Sequence, residues 1–300
     1  MSLTLISQSP LSEWGWHDTT AQAQAWTQFM GTWCEDFQEK PTITQAADGE
    51  VLALHRGLQM RSVFQPIYTA KTLLEPVAFE ALIRAQTIAS GQTVRPDLLF
   101  ANVTSEAEGV LLDRLCRFLH LLNFERQAPG SAALYLNLST SHLQALQQGQ
   151  HGQFLTAMHT LCPVDPTRII LEITETQFDY PEMLNSIVCA FKDRGYRVAL
   201  DDFGARHSNF DRLWALTPDI VKIDRELLLQ AHTNLRARKV LPKVVEIIHD
   251  LEATVVCEGI ETLDQHQLAV SAGVDLVQGF LFARPNRALQ QPLPGFHDIV

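Results

Sequence analysis

The chain has 300 residues, 46% of them hydrophobic, enough to bury the core of one large barrel or of two ordinary domains. A formal net charge of -11 argues against a nucleic-acid groove or an anionic membrane surface as the main partner, since both would repel it. An anionic ligand would need a metal ion or local Arg and Lys to hold it. The five cysteines, Cys34, Cys116, Cys162, Cys189 and Cys257, show no CxxC spacing, and their odd number suits reduced thiols better than a disulfide framework. The opening MSLTLISQSPLSEW has no basic stretch followed by a long apolar one, and no apolar run is long enough to span a bilayer. The expected location is cytoplasmic.

Residues 1–45 read as a separate helical extension and linker, with the main domain over 46–300. Trp14, Trp16, Trp26 and Trp33 all fall in the extension, and Asp18, Thr19 or Thr20 could cap a helix. Trp26, Phe29, Met30, Trp33 and Phe37 recur there at helical spacing. This aromatic stripe has two destinations, the chain's own core or a face for a partner protein or homodimer. Residues 38–48 are polar and without periodicity, which reads as a linker.

From about residue 50, strand and helix patterns alternate. The predicted strands are 62–68, 76–84, 133–139, 168–174, 197–203, 219–224, 253–259 and 275–282, with amphipathic stretches such as 111–122 and 237–251 between most of them. Such alternation implies a mainly parallel sheet, and this number of strands points to an α/β fold of the (β/α)8 TIM-like barrel type. In that architecture the strand C-termini share one face. Here that face collects Glu80, Asn137, Glu172, Asp201, Asp202, Lys222, Glu258 and Gln278. Any one of these residues has an ordinary alternative: a DD pair is commonly a turn, and an Asn after a strand often closes a loop. Together they are harder to dismiss, because buried unpaired carboxylates each cost several kcal/mol. Divalent cations would remove that cost, and an all-oxygen donor set suits Mg²⁺ or Mn²⁺ over zinc.

The blocks FQPIY (64–68), FEALIR (79–84), LNLS (136–139), LEITET (171–176), ALDDFG (199–204), DIVKID (219–224), CEGIET (257–262) and VQGFLFARP (277–285) resemble, in order and spacing, the signature blocks of EAL domains. The resemblance covers roughly residues 50–290. It implies a phosphodiesterase that opens cyclic di-GMP to linear pGpG, on a barrel whose first strand runs against the others. Position by position, it makes Glu80, Asn137, Glu172, Asp201 and Asp202 ligands of two divalent cations. Glu258 would be the general base, and Lys222 would orient the nucleophile and offset transition-state charge. The alternative for Lys222 is a salt bridge to Asp224. Gln65 and Arg84 match substrate-holding positions, where Arg suits a phosphate oxygen and Gln a guanine edge or phosphate. Asp224, Glu261 and Gln278 join them as further substrate contacts, although Glu261 could equally be an acid at the start of a helix over 262–272.

One loop departs from the family. Where active members read DDFGTGYSS, this chain reads DDFGARHSN over 201–209, so that Ala205 replaces a hydroxyl residue, Arg206 a glycine and His207 an aromatic residue. If the backbone needs positive φ there, Arg206 would strain the turn by about 1 kcal/mol. The resemblance implies that this loop couples the metal pair to a dimer interface and that Glu175 anchors it. The altered loop keeps a second reading open, in which the same fold is a catalytically weak cyclic di-GMP receptor or an interaction module.

Overall fold

A computed structural model describes residues 19–34, 37, 39–73, 75–127, 130–139, 143, 154, 157–158, 162, 164–174, 181–205 and 210–289. The chain divides into two compact units. One comprises Met1–Ser62, Ile83–Arg126 and Ala145–Val164, and the other Val63–Leu82, Gln127–Gln144 and Asp165–Val300.

In the first unit, helix α1 (Thr19–Thr32) packs on strand β1 (Thr42–Gln45). Trp26, Phe29 and Met30 of the stripe are buried within this unit. Phe29 stacks on Phe118 with ring centroids 5.3 Å apart, Trp33 meets Phe154 edge-on at 5.2 Å, and the Arg114 guanidinium lies 5.3 Å over the Trp33 ring. Of the two destinations open to the stripe, these side chains take the chain's own core. Trp14, Trp16 and Asp18 lie outside the described residues.

The expected linker over 38–48 is corrected in part, because β1 lies within it and pairs antiparallel with β2 (Val51–His55), from Thr42 opposite Leu54 to Gln45 opposite Val51. Ile43 is the one buried residue of β1, so a single apolar position left no alternation to detect. Helix α2 (Pro96–Ala101) precedes the long helix α3 (Glu106–Glu125), which is capped by the Ser105 side chain accepting from the Glu108 N–H at 3.2 Å. The Asn123 amide of α3 acts as a peptide mimic, accepting from the Val51 N–H and donating to the Val51 carbonyl, both at 2.8 Å.

The second unit holds the barrel. Its strands are the later part of β3 (Leu58–Thr69), the earlier part of β4 (Ala78–Thr87), β6 (Ala133–Asn137), β7 (Ile169–Thr174), β8 (Arg197–Phe203), β9 (Ile220–Ile223), β10 (Thr254–Cys257) and β11 (Leu276–Val277). The sheet order is β1-β2-β3-β11-β10-β9-β8-β7-β6-β4-β5, with β5 at Thr93–Val94, and a further β3–β4 pairing closes eight strands into the expected (β/α)8 barrel. The neighbouring pairs from β4 through β6 round to β11 are parallel, whereas β3 runs antiparallel to β11, as the family resemblance implied.

Strand β11 stops well short of the expected 275–282. At Gly279 the chain passes so close to the Ile260 backbone that a Cβ would collide with it, and Leu281 then donates to the Ile260 carbonyl at 3.0 Å instead of extending a ladder.

A ring of interior side chains fills the barrel, one from each of seven strands: Ile67, Ala78, Tyr135, Ile170, Ala199, Ile220 and Val256, with Leu276 packed against them. This apolar layer is the floor on which the site stands.

Candidate active site

Side chains along a strand return to the same face every second residue. Counting two residues beyond the ring towards the strand C-termini gives Glu80, Asn137, Glu172, Asp201, Lys222, Glu258 and Gln278 in turn. On the reversed strand β3, Gln65 lies two residues before Ile67. The barrel thus changes from an apolar layer to a wholly polar one in a single step, at the end where barrels carry their chemistry.

Lys222 is the centre of this layer and is 1% exposed. Its Nζ lies 2.6 Å from Glu258 Oε1, 3.1 Å from Asp201 Oδ1 and 3.7 Å from Glu80 Oε2, and it also pairs with Glu172. These four carboxylates, and not Asp224, are its ion partners, so the Asp224 alternative is set aside. Tyr135 lies beneath, its ring centroid 5.9 Å from Nζ. Gln278, itself buried, donates from Nε2 to Glu80 Oε2 at 2.8 Å and so fixes that carboxylate.

Consecutive residues on a regular strand point to opposite faces, yet Asp201 and Asp202 both bring a carboxylate oxygen towards Glu258. The register of β8 against β9 shifts between Leu200 and Phe203, and Asp202 has φ 58°, in the left-handed region. The bulge brings carboxylate oxygens of Asp201, Asp202 and Glu258 within 4.8 Å of one another. The Ala205 N–H closes the turn on the Asp202 carbonyl at 3.1 Å.

The charges are unevenly matched. Burial alone would lower the Lys222 pKa, but Asp201, Glu172, Glu258 and Glu80 outweigh it and hold the ammonium well above lysine's ordinary value. Burial, with Glu80 and Asp201 nearby, pushes Glu172 well up despite Lys222. For the same reasons Glu258 is raised to about 8. Asp202 is raised to about 6 by desolvation of its carboxyl and by Asp201 and Asp224. One ammonium cannot neutralise this many carboxylates, and the shortage of positive charge is what a divalent cation would meet.

The site opens to a cleft of about 210 Å³ lined by Gln65, Glu80, Glu258 and Gln278 together with Arg225, Gly259, Glu261, Gly279 and Phe280. Asn137 is exposed at the end of β6, in register with Glu172. Asp224 caps the helix Arg225–Thr233, accepting from the Glu226 N–H at 2.8 Å. The cap of the helix Leu263–Ser271 is Thr262, in a capping box with Gln265, and not Glu261, whose carboxylate accepts from Arg225 at 2.8 Å. Arg84 belongs to the first unit, where it donates to the Ile83 carbonyl at 2.9 Å. Glu175, Arg206 and His207 lie outside the described residues. Sequence reasoning missed Arg225 and Phe280. Arg225 directly follows the DIVKID block and Phe280 lies within VQGFLFARP, and only the fold turns them to the same cleft.

The EAL domain family model matches residues 51–285, and the chain belongs to this family. It is 31% identical over 229 residues to an uncharacterised protein of Azorhizobium caulinodans, covering 74% of this chain and 30% of that one. It is 32% identical over 132 residues to the cyclic di-GMP phosphodiesterase RocR of Pseudomonas aeruginosa, covering 44% of this chain and 34% of RocR. The chain therefore spans about a third of the length of these curated relatives. Among solved structures, the manganese and cyclic di-GMP complex of Klebsiella pneumoniae BlrP1 at pH 6 aligns with a TM-score of 0.68 at 25% identity, over 90% of this chain and 67% of that one. Among the described residues, no helix is long and apolar enough to cross a membrane.

Proposed function

We propose that this site hydrolyses cyclic di-GMP to linear pGpG with two divalent cations, Mg²⁺ or Mn²⁺, as part of cytoplasmic second-messenger signalling. The observation that carries the reading is the surplus of carboxylates around one buried ammonium, with Asp201, Asp202 and Glu258 oxygens within 4.8 Å of one another. Phosphodiesterase function in RocR and the manganese and cyclic di-GMP content of the BlrP1 complex support the same direction.

The donor set fits hard cations. Glu80, Asn137, Glu172, Asp201 and Asp202 offer only oxygen, and while Lys222 meets Asp201 Oδ1 and Glu172 Oε1, the buried Glu172 Oε2 has no hydrogen-bond donor among the described residues. Bound there, the cations would supply Lewis-acid stabilisation of phosphoryl charge and a more acidic water. The chain's own residues do the rest. Glu258, aligned by Lys222, takes the proton of the attacking water as the water oxygen bonds to phosphorus and the ester bond to the 3′ oxygen breaks, the leaving 3′ oxygen taking a proton from solvent to become the hydroxyl of pGpG. Lys222 stays charged throughout and offsets the negative charge that grows on the phosphoryl group. Gln278 keeps Glu80 in place, and Gln65 in the cleft wall contacts the dinucleotide.

The test is incubation of the purified chain with cyclic di-GMP and Mg²⁺ or Mn²⁺, with products separated by chromatography. Accumulation of pGpG that stops on chelation is the expected result. Tight binding with no product would favour the receptor reading instead.

A further inference from the structure

Arg225 and Phe280 share the wall of the cleft with Gln65, Glu80, Glu258 and Gln278, and Arg225 is the only cation among its described lining residues. The Arg225 stem lies over Gly259, whose φ is +64°, and a Cβ there would strike it, so the backbone fixes where the arginine stands. Among the described residues its single polar partner is Glu261, on one Nη2 bond of 2.8 Å, although a guanidinium carries five N–H donors. The side chain is 48% exposed, with donors to spare. Phe280 is 45% exposed at the same mouth, and the Arg284 guanidinium sits 4.3 Å from its ring centroid and steadies it.

A stacking surface beside a rigid fork of donors is complementary to a base that presents two acceptors on one edge. Guanine does so through O6 and N7, whereas adenine puts an amino donor in place of O6. The acidic floor of the site leaves the rim as the place for the bases. Resting on the reading that this site takes cyclic di-GMP, we propose that Arg225 reads the O6/N7 edge of a guanine stacked on Phe280, and so sets the base specificity of the site.

The test is calorimetric titration of the full chain, in Ca²⁺ buffer, with cyclic di-GMP and with cyclic di-AMP, repeated for Arg225→Gln and Phe280→Ala after melting curves show both variants folded. The parent should prefer cyclic di-GMP at least about tenfold. Arg225→Gln should weaken cyclic di-GMP about tenfold or more and cyclic di-AMP less than about threefold. Phe280→Ala should weaken both, since stacking is indifferent to the base. Equal weakening of both dinucleotides by Arg225→Gln would place the guanidinium on a phosphate and overturn the proposal, as would no change, or a parent that binds neither. Selective binding by a parent that forms no pGpG would overturn hydrolysis while upholding the guanine contact.

Discussion

Lys222 Nζ and Glu258 Oε1 are 2.6 Å apart, in a layer where Lys222 also meets Glu80, Glu172 and Asp201. The lysine is therefore a structural counter-ion before it is anything else. Replacing it by Met leaves several buried carboxylates facing one another, and breaking a buried pair in this way costs about 3–5 kcal/mol. Lys222→Met should melt well below the parent in chelator and recover part of the difference in millimolar Mn²⁺. Identical melting temperatures in chelator would contradict this role.

Removing a carboxylate acts in the opposite sense. Glu80→Ala and Asp201→Ala each take away negative charge that one lysine cannot balance, so the metal-free proteins should be at least as stable as the parent. The parent's rise in melting temperature on adding Mn²⁺, which follows from binding to the folded state alone, should largely vanish in both variants, together with hydrolysis. Full retention of the metal-dependent rise in either would remove that residue from the ligand set.

Metal affinity should climb with pH. The Asp202 pKa is raised to about 6 and that of Glu258 to about 8, so between these values part of the site is protonated in the metal-free protein. A cation must displace those protons, and its binding strengthens as pH rises from 6 to 8. Titration with Mn²⁺ in two buffers of different ionisation enthalpy reads the proton release directly. Equal affinity at both pH values, with no protons released, would show that these carboxyls are already ionised.

The first unit carries its own pH dependence. His120 is buried, with Nδ1 2.8 Å from Ser62 Oγ, and burial, assisted by Arg117 and Arg84, lowers its pKa from 6.5 to about 3. The unfolded chain thus binds a proton in this range that the folded chain does not. Its contribution to stability is present above about pH 6.5 and is lost as pH falls towards 3, at about 1.4 kcal/mol per unit. Urea midpoints at pH 7 and pH 4.5 should differ more for the parent than for His120→Gln. A parallel fall in both proteins would assign the slope to the carboxylates instead.

How far the sequence could be read depended on how much of each signal is local. The long strands and every member of the polar layer were visible, because apolar runs ending in an acid or amide are a pattern within one segment. Their convergence needed only the rule that barrel strands end on one face. Other features depend on partners far along the chain. Strand β1 has one buried residue and is recognisable only by its pairing with β2. Strand β11 is cut short by the approach of Gly279 to Ile260. The left-handed turn at Asp202, which lets two adjacent carboxylates face one site, is invisible in the letters DD. Arg225 and Phe280 lie 55 positions apart and meet only across the cleft.

The most direct test of the proposed hydrolysis compares the parent with Glu258→Gln under single-turnover conditions in Mn²⁺, measuring cyclic di-GMP binding and pGpG formation side by side. The parent should form pGpG, and Glu258→Gln should bind cyclic di-GMP nearly as well while forming product at least about a hundredfold more slowly, as loss of a general base requires. A parent that binds but forms no pGpG, or a variant that matches the parent's rate, would contradict it.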